Sequence, residues 1–79
     1  MLLRRVLRKY NLEMDIIING IEKNYTSSLT LETLLIELGH ANKKVAVEVN
    51  EEIIPRSQLR DKFVVDGDRI EIINAVGGG

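Results

Sequence analysis

Residues 15–26 have the sequence DIIINGIEKNYT, and this stretch decides how the domain begins. Residues 15–19 are largely apolar and β-branched, a composition that predicts a strand. Asn19-Gly20 is the typical pair of a type I′ turn, because that turn requires positive φ at both central positions. Residues 21–26 are then expected to return as a second strand. The sequence therefore predicts that the folded domain opens with a β-hairpin.

The next segment, residues 30–39, has the clearest helical pattern in the chain. Four leucines recur at the i, i+3, i+4 and i+7 spacing of a single apolar stripe: Leu31, Leu34, Leu35 and Leu38. Thr30 is placed to cap the N-terminus, and Gly39 is placed to end the helix in a left-handed conformation. Because only one side of this helix is apolar, it is expected to lie across a sheet.

Three more strands are predicted in the second half of the chain, at residues 44–49, 52–54 and 69–74. Pro55 prevents the short strand from continuing as an interior strand, and residues 55–59 are expected to form a turn or a single helical turn. This order of elements predicts a two-layer α+β domain. With the last strand beside the first, the fold class is a β-grasp, a mixed sheet of four to five strands with one main helix packed across it.

The composition fits a single small domain without a deep enzyme pocket. The chain has 79 residues and no cysteine, which leaves no thiol nucleophile or disulfide and fits a reducing compartment such as the cytoplasm. No apolar run approaches the roughly 18 residues expected of a membrane span. From residue 14 onward the chain carries seven Lys/Arg against eleven Asp/Glu, and this balance argues against binding of a nucleic-acid backbone.

The first 13 residues are basic, with four Lys/Arg against one Glu. Apolar residues recur there at roughly helical spacing, at Leu2, Leu3, Val6, Leu7 and Tyr10. One interpretation is an amphipathic helix for a membrane surface or for targeting. The favoured interpretation is a loosely ordered extension before a domain that starts at Met14, because the segment is short for either of those roles.

No catalytic or metal-binding constellation is expected. His40 is the only histidine, and a single imidazole without neighbouring ligands is a poor metal site, so it is expected at the surface. Two carboxylate pairs, Glu51 with Glu52 and Asp66 with Asp68, are expected to be solvated or to form turns. Perturbed carboxylates need burial or a close partner, and neither pair has an obvious one. The sequence predicts no catalysis by this chain alone.

The chain ends in Gly77, Gly78 and Gly79 after the last predicted strand. One interpretation is a frayed terminus or a linker. The other is a substrate, because a tail without Cβ atoms passes easily through a narrow channel. An ATP-dependent enzyme can then adenylate the terminal carboxylate, and a sulfur nucleophile can displace AMP. The tail alone leaves both interpretations open.

Four stretches resemble the sulfur carriers of thiamine biosynthesis, the ThiS type: DIIINGIEK (15–23), TLETLLIELG (30–39), VNEEIIPRSQL (49–59) and VVDGDRIEIINAVGGG (64–79). The resemblance implies a ubiquitin-like β-grasp domain over residues 14–76 with a flexible tail at 77–79. It implies that an E1-like adenylyltransferase of the ThiF type uses ATP to activate Gly79, which becomes a thiocarboxylate and donates sulfur to a thiazole synthase of the ThiG type. Gly78 completes the matching pair and Gly77 extends the tail. The resemblance also implies a cytoplasmic protein that binds no cofactor itself and is monomeric when free.

A docking surface is expected on the sheet face that the helix leaves open. The runs at residues 16–18 and 72–73 are continuously apolar, so both faces of the sheet carry aliphatic side chains. A lone domain has no need to expose them. The predicted docking residues are Ile17, Ile73, Ala75 and Val76, and the alternative is a core that loops cover on both sides.

Three other functions remain open at this level. The small subunit of molybdopterin synthase shares the fold, the tail and the activation chemistry, although the N-x-x-I-I-P-R motif favours the thiamine type. A second alternative is a ubiquitin-like modifier that is joined to lysine side chains. A third is a regulatory β-grasp module of a larger protein, which would not need a free terminal Gly-Gly.

Overall fold

A computed structural model describes the chain at residues 2–9 and 13–74. In chain order the elements are α1 (Leu2–Lys9), β1 (Met14–Ile18), β2 (Ile21–Tyr25), α2 (Leu31–Glu37), β3 (Val45–Val49), β4 (Glu52–Ile54), a 3₁₀ turn (Arg56–Gln58) and β5 (Arg69–Asn74). The predicted hairpin, main helix and later strands are confirmed. β4 and β5 keep both predicted ends, β1 is shifted by one residue, and β2 and β3 each differ from the prediction by one residue at one end.

The five strands form one mixed sheet in the order β2-β1-β5-β3-β4. β1 and β5 are parallel, whereas the other neighbouring pairs are antiparallel. The expectation that the last strand lies beside the first is confirmed, and with it the β-grasp fold class. Because β5 is the central strand, the chain runs toward its carboxyl end from the middle of the sheet.

The hairpin turn has the predicted geometry. Asn19 has φ 49° and Gly20 has φ 81°, so both central positions are left-handed, as a type I′ turn requires. The same asparagine also binds the central strand: its backbone N–H donates to the Ile70 carbonyl at 2.9 Å, and its Oδ1 accepts from the Ile72 N–H at 2.7 Å. Through Asn19, the turn therefore continues the hydrogen bonding to β5 beyond the end of β1.

α2 is capped and ended by the residues that the sequence indicated. The Thr33 N–H donates to Thr30 Oγ1 at 3.2 Å, which satisfies one of the free N–H groups of the first turn. Gly39 has φ 86°, and its N–H donates to the Ile36 carbonyl at 3.1 Å. The left-handed glycine turns the chain away from the helix and toward β3.

The core lies between α2 and one face of the sheet. Its most completely buried side chains come from both layers: Ile16, Leu31, Leu34, Val47 and Ile70. Alternation along each strand places every second residue on this face. Burial of each such aliphatic side chain stabilises the fold by about 1.5–3 kcal/mol before the entropy cost of ordering it. The opposite face of the sheet has no helix across it within the described residues.

A polar network around the buried Asp68 fixes the start of β5. Asp68 is 6% exposed and accepts hydrogen bonds from Asn50 Nδ2 at 3.0 Å and from the Val65 N–H at 2.9 Å. Asn50 Oδ1 in turn accepts from the Arg69 N–H at 2.9 Å. The expectation of a solvated carboxylate is therefore wrong for Asp68, because a turn 18 positions earlier in the chain supplies its partner.

Candidate partner-docking face and carboxyl-terminal tail

The sheet face opposite α2, called here the open face, takes every second residue of each strand. Strand pairing places on it Asp15 and Ile17 from β1, Glu22 and Asn24 from β2, Ala46 and Glu48 from β3, Ile53 from β4, and Arg69, Glu71 and Ile73 from β5. These side chains point away from the core. The open face is therefore the part of the sheet available to another surface.

An apolar patch lies on the open face where β5 ends. Ile73 is directly opposite Ala46 in the β3–β5 register. Ile53 on the edge strand β4 is opposite Glu48 and lies diagonally next to Ala46. Ile73 is 48% exposed and Ile53 is 72% exposed. We call Ile73, Ala46 and Ile53 the tail-side patch. Exposed aliphatic groups in one place are typical of surfaces that another molecule covers.

Ile17 and Ile73, both predicted docking residues, share the open face but lie apart on it. Ile17 pairs with Arg69, which places Ile73 four residues further along the neighbouring strand. At about 3.3 Å per residue this separation is about 13 Å. Ile17 is also only half-exposed. The tail-side patch and Ile17 therefore occupy different ends of the open face.

The remainder of the open face is acidic. Within the strands it carries four carboxylates, from Asp15, Glu22, Glu48 and Glu71, against the single guanidinium of Arg69. Glu48 and Glu71 are direct cross-strand partners, and like charges in such positions destabilise a sheet. A surface that retains this repulsion favours a cationic partner.

Two members of the tail-side patch, Ala46 and Ile53, were missed by sequence reasoning. Ala46 stands between Val45 and Val47, and Ile53 precedes Ile54, so both belong to short apolar runs that the sequence prediction did not use. Alternation along β4 would have placed the side chains of Ile53 and Ile54 on opposite faces of the sheet. The register that brings Ala46 beside Ile73 had no local signal in the sequence.

The tail begins beside the tail-side patch. Asn74, the last described residue, is exposed and pairs with Val45 at the start of β3. β5 is parallel to β1, so its carboxyl end lies at the same end of the sheet as the Asn19-Gly20 turn. The predicted site residues Ala75, Val76, Gly77, Gly78 and Gly79 lie outside the described residues.

The other groups singled out from the sequence form no catalytic set. His40 is half-buried at the end of α2, and its Nδ1 is buried without a hydrogen-bond partner in the described part of the chain. Glu51 and Glu52 are exposed, as expected. Burial, followed by the nearby Glu37 carboxylate, raises the pKa of the Tyr25 phenol and keeps it neutral. Among residues 2–9 and 13–74, no group of three metal-ligating side chains comes together, and no helix is long and apolar enough to cross a membrane.

The five-stranded mixed sheet with one crossing helix and a terminal strand in its centre defines a β-grasp domain of the ubiquitin-like type. The family model described as "ThiS family" matches residues 16–79. The chain belongs to the ThiS family of sulfur carrier proteins.

Individual relatives agree with this assignment. The sulfur carrier protein ThiS of Escherichia coli is 30% identical over 66 residues, which are 84% of this chain and all of that protein. The crystal structure of the thiamine biosynthesis protein ThiS from Geobacter metallireducens matches with a TM-score of 0.72 at 33% identity, over 84% of this chain and 100% of that one.

A longer protein also contains this sequence type. A thiazole synthase of Paramagnetospirillum magneticum is 50% identical over 66 residues, which are 84% of this chain. The chain spans only 20% of the length of that synthase. A domain of this kind and a thiazole synthase therefore occur in one polypeptide.

Proposed function

We propose that this chain carries sulfur to thiazole formation in thiamine biosynthesis, with the Gly79 carboxylate as the group that is activated. The observation that carries the proposal is that the family match extends through the last residue, residues 16–79. A match confined to the folded core would indicate the fold and leave the tail without an assigned role.

The proposed chemistry has two steps. The Gly79 carboxylate attacks the α-phosphorus of ATP on an E1-like adenylyltransferase of the ThiF type, which forms an acyl adenylate and releases pyrophosphate. A sulfur nucleophile then attacks the acyl carbon, AMP leaves, and the tail becomes a thiocarboxylate. The chain is the substrate in both steps. Gly77 and Gly78 are proposed to pass through the channel of the partner because they have no Cβ.

The proposed sulfur acceptor is a thiazole synthase of the ThiG type. Support comes from the relative in which a homologous segment is part of a thiazole synthase polypeptide. Domains joined in one chain commonly act on one another, because covalent linkage raises their effective concentration. This relationship favours the thiamine type over the molybdopterin-synthase alternative.

The open face is proposed to dock both partners. Ile73 stands directly before the tail, and it contributes to the tail-side patch with Ala46 and Ile53. Contact there, continued through Ala75 and Val76, would hold the domain while the tail enters the partner's site. Ile17 and the acidic residues would form the outer part of the same surface.

An intact-mass experiment tests this function. The full chain is incubated with ATP, the adenylyltransferase and a sulfur source, and we expect a gain of about 16 Da as sulfur replaces oxygen at the terminus. A variant that lacks both Gly78 and Gly79 is the matched control and should gain nothing, because it no longer ends in Gly-Gly. An unmodified full chain, under conditions in which a ThiS of known activity reacts, would refute the proposal.

A further inference from the structure

α1 exposes an apolar stripe that nothing covers in the described part of the chain. Leu2 is 79% exposed and Leu3 is 69% exposed, and Val6 is exposed on the same side of the helix. At 100° per residue, Lys9 falls within about 20° of Leu2 at the edge of this stripe, and Arg5 lies about 60° from Leu2 on the side away from Val6. A helix with one apolar side normally buries that side against a second surface.

The open face has the complementary chemistry. It presents half-exposed Ile17 among the carboxylates of Asp15, Glu22 and Glu71, with Arg69 as the one cation within its strands. The first 13 residues carry four Lys/Arg against one Glu, whereas the remainder of the chain has an excess of four Asp/Glu. Opposite net charge steers two surfaces together and favours the correct pairing.

The chain enters the sheet from the side of the open face. Glu13 is buried and its Oε1 accepts a hydrogen bond from Asn24 Nδ2 at 2.8 Å. The same Asn24 Nδ2 donates to Asp15 Oδ1 at 2.8 Å. Asn24 and Asp15 both belong to the open face. Glu13, which leads into β1, therefore lies beside the open face.

The connection is long enough for α1 to lie on this surface. The four peptide steps from Lys9 to Glu13 span at most about 14 Å, and the helix itself is about 12 Å long. Together, the connection and the helix can extend from the start of β1 to about the level of Glu71. The tail-side patch around Ile73 lies further along the sheet and stays uncovered.

We propose that α1 binds the open face of its own chain, with its apolar stripe over Ile17 and with Lys9, at the edge of that stripe, near the surrounding carboxylates. The inference rests on the proposed function in one respect, namely that partner enzymes use the same face and must displace α1. The contact involves few apolar side chains and solvent-exposed charges, so it is weak and reversible. If α1 is docked about half of the time, the apparent Kd of a partner rises about twofold.

Paramagnetic labelling of the free chain tests the contact without any enzyme. The chain has no cysteine, so Arg5→Cys accepts a single nitroxide. We expect the amide signals of Ile17 and Glu71 to lose intensity and those of Glu32 on α2 to keep theirs. Raising the salt to about 0.5 M should restore the open-face signals, because exposed charges are then screened.

Three double variants complete the test, and the third is a matched control for the second. Leu3→Glu with Val6→Glu in the labelled chain should abolish the broadening. Glu22→Lys with Glu71→Lys should also abolish it, whereas Glu32→Lys with Glu37→Lys makes the same change in net charge on α2 and should leave it unchanged. Broadening that persists in the first two variants would overturn the proposal.

Other partners for α1 give distinguishable results. Mixing spin-labelled chain at natural isotope abundance with ¹⁵N chain that carries no spin label reports contact between copies. Broadening in this mixture equal to that in the doubly labelled chain would overturn docking within one chain. Absence of any broadening, with binding of α1 to vesicles that contain anionic lipid, would also overturn it. Failure of the intact-mass experiment would refute the proposed function while leaving the labelling result unaffected.

Discussion

Glu48 and Glu71 lie directly opposite each other on the open face of the sheet, one on β3 and the other on the central strand β5. Both side chains are half-buried, so water screens their repulsion incompletely. Like charges in this position cost the isolated domain stability. A partner with a cation at this point would relieve that repulsion when it binds.

Removal of one of these charges should stabilise the free protein and weaken partner binding. For Glu71→Gln we expect the free energy of unfolding to rise by about 0.2–1 kcal/mol, measured by urea denaturation. Glu32 is an exposed carboxylate on α2, so Glu32→Gln is the control. It should neither raise the free energy of unfolding nor weaken partner binding. A loss of stability in Glu71→Gln would show that the pair is not repulsive.

The tail-side patch should be required for sulfur loading. We expect Ile73→Asp to abolish thiocarboxylate formation without unfolding the domain, because the side chain is 48% exposed and its carboxylate can remain solvated. The matched control is Ile36→Asp on α2, where the isoleucine is 57% exposed on the other layer. Intact mass measures loading, and circular dichroism measures folding. Normal thiocarboxylate formation in Ile73→Asp would show that the tail-side patch is not required for docking.

The polar network at the start of β5 should be a large contributor to stability. Asn50→Ala removes the hydrogen bonds to Asp68 and from the Arg69 N–H and leaves the Asp68 carboxylate buried with fewer partners. We expect a loss of about 2 kcal/mol in the free energy of unfolding. Asn42 has a similar left-handed backbone, with φ 66° against 52° for Asn50. Asn42→Ala therefore measures the backbone cost alone, and equal losses in the two variants would show that the network contributes little.

The tail should tolerate no side chain at its penultimate position. We expect Gly78→Val to reduce the rate of adenylation by about a hundredfold, the order associated with misplacing reacting groups by about 1 Å. Pyrophosphate release in the presence of the adenylyltransferase measures that rate. The melting temperature should stay the same as that of the unsubstituted chain. A rate close to normal would argue that the tail does not pass through a narrow channel.

Local signals in the sequence predicted the elements well. Asn19-Gly20 defined the hairpin, since few other dipeptides favour two successive left-handed residues. Thr30 and Gly39 defined the limits of α2 because caps act on neighbouring backbone groups. These features depend on residues within a few positions of one another, so the sequence alone contains the necessary information.

The adjacency of β5 and β1 was predicted, but the registers between distant strands were not. The opposition of Glu48 to Glu71 and of Ala46 to Ile73 follows from the β3–β5 register, which no single segment encodes. The burial of Asp68 likewise depends on Asn50, 18 positions away. Ile17 and Ile73, which the apolar runs pointed to as docking residues, both lie on the open face, but their spacing along it required the structure.

The position of β5 determines how the domain responds to tension. When a partner draws the tail inward, the pull acts along the axis of a strand that has a neighbour on each side. Inter-strand hydrogen bonds lie across that axis, so they carry the load together in shear instead of opening one after another. The hydrogen bond from the Ile72 N–H to Asn19 Oδ1 adds an anchor close to the point of traction. The domain can therefore stay folded while force acts on its last residues.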